Sequence, residues 1–155
     1  MSLDSASYPD RSLELYVFGE NHFEKFHLRS IAELEEKLHV EKKCWLNIHK
    51  RNDSSIFQEI CQHFEIHPVA FDDIDNLQQR PKLEDFDNFI LIVSKMLYTR
   101  SDIDHLEVEQ VSIAFNKNLI ITFQENEYDI FDPIRIRLEN PNGKMRKLAT
   151  DYFVY

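Results

Sequence analysis

The chain has 155 residues, 43% of them hydrophobic and 12% aromatic, and a formal net charge of -10 at pH 7. That length supports one domain with a real core and no comfortable second one, and the apolar content argues against disorder. The negative charge argues against a nucleic-acid surface, which needs clustered Lys and Arg, and makes cations the more natural partner.

The opening residues, MSLDSASYPD, are polar and lack the basic-then-apolar pattern of a secretion signal. LELYVF, Leu13 to Phe18, predicts a strand, and KFHLRS, Lys25 to Ser30, its hairpin partner. A short helix follows: Ser30 caps it, Glu33 completes a capping box, and Ile31, Leu34 and Leu38 share a face. CWLNIHK, Cys44 to Lys50, alternates as a strand does. Asp53, Ser54 and Ser55 form a cap cluster with Gln58 three residues beyond, and Ile56, Phe57, Ile60, Cys61 and Phe64 make a helical stripe. The next helix starts at Pro68, whose missing N–H costs nothing at a first helical position, with His67 as its entry residue. Its apolar face is Ala70, Phe71, Ile74 and Leu77, which points Asp72, Asp73 and Asp75 away from the core.

Pro81 pushes Arg80 toward extended geometry, so that helix is over by then. NFILIVSKMLYT, from Asn88, is nearly continuously apolar and reads as a central strand covered on both faces. HLEVEQVSIAFNK and NLIITFQ read as its antiparallel neighbours in a three-strand meander, turning through Asn116, Lys117 and Asn118, where asparagine tolerates positive φ. Asp132 and Pro133 give a cap and first turn for a helix carrying Ile134 and Leu138, with Asp129 an equal alternative start, and NPNG at Asn140 to Gly143 ends it. From Lys144 the chain begins basic and runs to DYFVY without a stop signal, which reads as the opening of a longer helix.

Two glycines, Gly19 and Gly143, cannot build a Walker loop or a dinucleotide fingerprint. Cys44 and Cys61 sit in apolar patterns without metal-ligand spacing and read as reduced core thiols. The seven histidines include no HExxH and no close His and Cys grouping, and no apolar run approaches the roughly 18 residues of a membrane helix. Paired carboxylates such as Asp72 with Asp73, or Glu84 with Asp85, diverge by about 100° on a helix and rarely converge on one substrate atom, so an enzyme is disfavoured. Residue chemistry leaves the acidic cluster as either a solvated face or a hard-cation site.

The segment FEIHPVAFDDIDNLQQRPKLEDFDNFILIVSKML resembles the signature of the CorA family of magnesium and cobalt channels: a histidine-proline helix start, an acidic pair, a QRPK turn and an apolar strand, in that order. WLNI before it, then EQVSIAFNKNLIITFQE, FDPIRIRL and DYFVY after it, extend the resemblance from about Trp45 to the end, and the first 44 residues match only loosely. The resemblance implies an α/β fold, an α-β-α sandwich with a mixed parallel and antiparallel sheet. It further implies a cytoplasmic domain over 1–143 and the start of a stalk helix at 144–155. The family's membrane helices and Gly-Met-Asn pore loop would lie beyond Tyr155, so that the expected setting is a homopentameric inner-membrane channel for Mg²⁺ or Co²⁺ and this chain alone transports nothing.

In that family regulatory ions sit between neighbouring cytoplasmic domains, and the acidic pair that holds them aligns with Asp72 and Asp73. The resemblance implies Mg²⁺, with Co²⁺ as an alternative, as a ligand bound weakly and stabilising the closed state. Two departures stand out, Asp72 where relatives often carry Glu and Gln78 where some carry His, while the QRPK turn favours the magnesium branch over zinc-transporting relatives, which tend toward Arg-Pro-Arg. The competing readings are a stand-alone acidic interaction module and a domain of a zinc-transporting relative, and for the same residues Arg80 and Lys82 pair with nearby acids while Trp45 lies in the core.

Overall fold

Alternation along the first strand places Leu13, Leu15 and Val17 on one face and Tyr16 and Phe18 on the other, and both sets are buried. A strand covered on both faces requires a helical layer on each side of its sheet. The computed structural model, which describes residues 13–49, 54–99, 104–125 and 130–155, has that arrangement.

In chain order the elements are β1 (Leu13–Gly19), β2 (His22–Leu28), α1 (Ile31–Lys37), β3 (Lys43–His49), α2 (Ser54–His63), α3 (Pro68–Asp75), β4 (Lys82–Phe86), β5 (Phe89–Thr99), β6 (Leu106–Phe115), β7 (Leu119–Gln124), α4 (Asp132–Glu139), α5 (Lys144–Lys147) and α6 (Thr150–Val154). The strands form one seven-stranded sheet in the order β2-β1-β3-β7-β6-β5-β4. β3 pairs with β7 in parallel, and the other neighbours are antiparallel. The expected mixed α-β-α sandwich is therefore present.

On the first face, Leu13, Leu46, Ile121 and Phe123 pack with Leu34 of α1, Phe57 and Ile60 of α2, and Ala70 and Ile74 of α3. On the second, Tyr16, Phe18, Trp45 and Ile120 pack with Leu138 of α4, Met145 of α5 and Phe153 of α6. Trp45 is fully buried, stacked on Tyr16 at 4.7 Å, and its Nε1 donates to Thr122 Oγ1 at 2.9 Å. That hydroxyl donates to Asn47 Oδ1 at 2.7 Å, and Asn47 Nδ2 donates to Gln124 Oε1 at 3.0 Å, so the parallel seam carries side-chain bonds as well as its ladder.

The second face also holds a buried ion pair. Arg135 of α4 donates through Nη2 to Glu14 Oε2 at 2.6 Å and through Nε to the Tyr16 hydroxyl at 2.6 Å. Its guanidinium lies 5.5 Å from the Trp45 ring centroid, which combines hydrogen bonding with cation–π attraction. The carbonyl ends of the last helices are capped in series. Arg146 Nε donates to Leu138 O of α4 at 2.6 Å, and Lys43 Nζ of β3 donates to Arg146 O at 2.6 Å and to Leu148 O. Cations at helix C-termini satisfy orphan carbonyls and complement the dipole.

Local chemistry explains both the agreements and the corrections. Ser30 Oγ accepts from Glu33 N at 3.2 Å as the capping box requires, while the Glu33 carboxylate reaches Arg29 N at 2.7 Å, one residue earlier than expected. The turn before β7 uses asparagine differently from the expectation. No asparagine among the described residues has positive φ, and Asn116 Oδ1 instead accepts from Asn118 N and Leu119 N at 3.1 and 3.0 Å.

The meander β5-β6-β7 is present, but β5 is neither central nor covered on both faces. It lies beside an edge strand, β4, in a segment where the sequence predicts no element. Phe89, Leu91 and Val93 are buried while Ile90 and Ile92 are half-buried and Met96 and Leu97 are exposed. Its apolar run reflects edge exposure as well as burial. Asp132 is the first residue of α4, not its cap: Phe131 holds that place without a side-chain bond, and Asp132 pairs with Arg135 at 3.2 Å. Residues 144–155 form two short helices separated at Leu148 and Ala149 where one helix start was expected. Lys50, Asp53 and Asp129 lie outside the described residues.

Candidate functional site

The acidic helix α3 is built from its entry inward. His67 takes the cap position, its Nδ1 accepting from Val69 N at 3.1 Å, and Pro68 follows where no amide partner is needed. The imidazole stacks on Phe86 of β4 with ring centroids 5.4 Å apart, which fixes the direction of entry. Ala70 and Ile74 are buried, and Phe71 meets Phe57 of α2 at 5.1 Å. Leu77, expected on this face, falls beyond the helix end and is exposed.

The far end of α3 is held by polar groups from the sheet. Gln110 Nε2 of β6 donates to Asp73 O and Ile74 O at 3.4 and 3.3 Å. Lys95 Nζ of β5 donates to Leu77 O at 2.6 Å and to Gln110 Oε1 at 2.7 Å, bringing a positive charge near the C-terminal carbonyls.

The three aspartates do not share one environment. Asp72 and Asp75 are exposed, whereas Asp73 is buried at 8% exposure, which corrects the expectation that all three point away from the core. The rotation of about 100° between adjacent helical residues turns Asp73 toward β4 while Asp72 faces solvent. A buried carboxylate needs partners, and Asp73 has two: Gln79 Nε2 donates to its Oδ1, and the Lys82 ammonium contacts its Oδ2. Arg80 N donates to Gln79 Oε1 at 3.2 Å, which leaves the amide nitrogen for Asp73. Lys82 also donates to Glu84 Oε2 at 2.7 Å. The hydrogen bonds that Lys82 donates to Asp73 and then to Glu84, with the charges of both carboxylates, raise the Lys82 pKa above the ordinary lysine value.

Arg80 and Lys82 were weighed in the sequence as partners of nearby acids, and Lys82 is one. Gln79, Lys95 and Gln110 were missed. QRPK marks a turn, but nothing local tells which of its polar residues folds back on the helix before it.

The donor set suits a hard cation only in part. Asp72 and Asp73 offer carboxylate oxygens, the ligand type of Mg²⁺, yet no group of three or more His, Cys, Asp or Glu among the described residues is placed to hold a metal. One of the two carboxylates is already held by an ammonium. Of the two carboxylates, Asp72 is open to solvent and Asp73 is guarded by Gln79 and Lys82. Among the described residues no helix is long and apolar enough to cross a membrane.

A family profile described as "CorA-like Mg2+ transporter protein" matches residues 40–154. The "Cobalt/magnesium transport protein CorA" of Thermotoga maritima is 34% identical over 146 residues, covering 94% of this chain and 42% of that protein. The chain therefore spans less than half the length of this relative. Among solved structures, full-length CmaX superposes with a TM-score of 0.67 at 15% identity, covering 96% of this chain and 45% of the other. The soluble domain of CorA from Methanocaldococcus jannaschii does so with a TM-score of 0.58 at 14% identity, covering 85% and 49%. At these identities the superpositions establish the fold.

Proposed function

The chain belongs to the CorA family of Mg²⁺ transporters, and on that premise we propose that it is the cytoplasmic ion-sensing domain of a channel carrying Mg²⁺ or Co²⁺. The whole protein is then a homopentamer of the inner membrane and not an enzyme, with residues 1–143 as the sensor and 144–155 leading toward a stalk helix. Magnesium held between neighbouring subunits at Asp72 and Asp73 stabilises the closed state.

The observation that carries this reading is the exposed Asp72 carboxylate beside the anchored Asp73 at one edge of the domain. Mg²⁺ is bound through one or two carboxylates while keeping several waters, so a half-site suits weak binding completed by a neighbour. Weak binding suffices. An ion at ten times its dissociation constant stabilises the state it prefers by about 1.4 kcal/mol. Five such ions sum to about 7 kcal/mol, more than the roughly 5.5 kcal/mol that moves an equilibrium from 1:99 to 99:1.

The test is magnesium inhibition of the full-length channel in proteoliposomes. Asp72→Asn and Asp73→Asn should each raise the Mg²⁺ needed for closure about ten-fold; inhibition unchanged in both variants would overturn the sensor reading.

A further inference from the structure

The Lys82 ammonium lies against Oδ2 of the buried Asp73 carboxylate. We propose that Lys82 is a tethered counter-cation: it holds Asp73 while no divalent ion is bound, and an ion that takes Asp73 displaces it onto Glu84. The proposal rests on the ion-sensing reading of α3 and adds the residue that sets its threshold.

Three features support it. Asp73 is buried, so its carboxylate cannot be left without a counter-charge at acceptable cost, and the Lys82 ammonium contacts its Oδ2. Lys82 is not committed to Asp73 alone, because Glu84 Oε2 lies 2.7 Å from the same nitrogen and the Lys82 side chain is 28% exposed, so the ammonium keeps a partner after release. Gln79 remains as the neutral donor to Oδ1, held in orientation by Arg80 N, so the carboxylate stays in place while its charge partner changes.

The exchange swaps one tethered monovalent cation for one free divalent ion. A tethered competitor is present at high effective concentration, so an ion must outbind it, which lowers apparent affinity without altering the ligand oxygens. Lys82 thus tunes the concentration at which the domain responds. Removing one positive charge next to the ligand should strengthen divalent binding about ten-fold.

The experiment uses this chain, titrated with Mn²⁺ and followed by paramagnetic broadening of the α3 amide signals, with Lys82→Met, Lys82→Arg and Asp73→Asn variants. Lys82→Met should bind Mn²⁺ about ten-fold tighter than the parent, Lys82→Arg should match the parent, and adding Asp73→Asn to Lys82→Met should abolish the gain. Equal midpoints in the parent and Lys82→Met, both abolished by Asp73→Asn, would leave the ion site standing and overturn the tether. If Asp73→Asn does not move the parent's titration, the ion-sensing reading falls and the tether with it. Should Lys82→Met fail to fold, the parent's own Lys82 side-chain resonances decide. A shift as Mg²⁺ saturates, absent in Asp73→Asn, supports displacement, and an unchanged signal overturns it.

Discussion

Cys61 illustrates what burial does to one ionisable atom. Its thiol lies in the first-face core, and desolvation, reinforced by the charge of Asp75, pushes its pKa up to about 12. An unfolded thiol titrates near 8.5, so both states are protonated below that pH and this contribution to stability is fully present there. As pH rises from about 8.5 toward 12 the unfolded chain releases its proton and the folded one does not, which removes up to about 1.4 kcal/mol per pH unit. Urea midpoints measured at pH 8 and pH 10 should fall more in the parent than in Cys61→Ala, and the folded thiol should resist alkylation at neutral pH. Arg135 is the opposite case, a buried charge that stays ionised because it is paired. Arg135→Met removes the guanidinium that bonds the fully buried Glu14 carboxylate and should cost about 3 to 5 kcal/mol by chemical denaturation. Pairing it with Glu14→Gln should recover part of that loss, and a fully additive double variant would show that the two side chains act independently.

At the scale of elements, α2 ends in a Schellman turn: Ile66 N donates to Cys61 O at 2.9 Å and Glu65 adopts φ 53°. A side chain in the left-handed region costs about 1 kcal/mol, so Glu65→Gly should raise stability by about that amount, read as a shift in urea midpoint at constant slope. The helices were legible because their signals are local. Ser30 with Glu33, and His67 with Pro68, declare starts within four residues, and the Phe57, Ile60 and Cys61 stripe declares a face. The strand β4 was not legible, because KLEDF carries three charges in five residues and becomes a strand only by pairing with β5. The polar bonds of the second face were written in LELYVF, WLNI and IITFQ, where Glu14, Asn47 and Thr122 alternate with apolar residues. Sequence spacing cannot say that these three lie side by side across β1, β3 and β7. The acidic pair was legible as a pair. The burial of Asp73 against Lys82 depends on a strand that had not been recognised.

For the whole molecule, a net charge of -10 means that compaction brings like charges together. Screening should therefore raise the thermal midpoint by a few degrees between about 10 and 150 mM NaCl, where the Debye length falls from roughly 30 to 8 Å. A midpoint that fell over that range would place the dominant charges in attractive pairs instead. The parallel β3–β7 seam has a kinetic consequence. Every antiparallel pair joins strands adjacent in sequence except β1–β3, which β2 and α1 separate, while side chains across the seam are separated by 75 to 77 residues. Closing a loop of that length costs about 4 kcal/mol of chain entropy against about 1 for a tight hairpin. The β1-β2-β3 and β4-β5-β6-β7 halves should thus assemble early, with their meeting expected to set the folding rate. A protein arranged this way is zipped from both margins and closed last through its middle, where Trp45 and Thr122 meet.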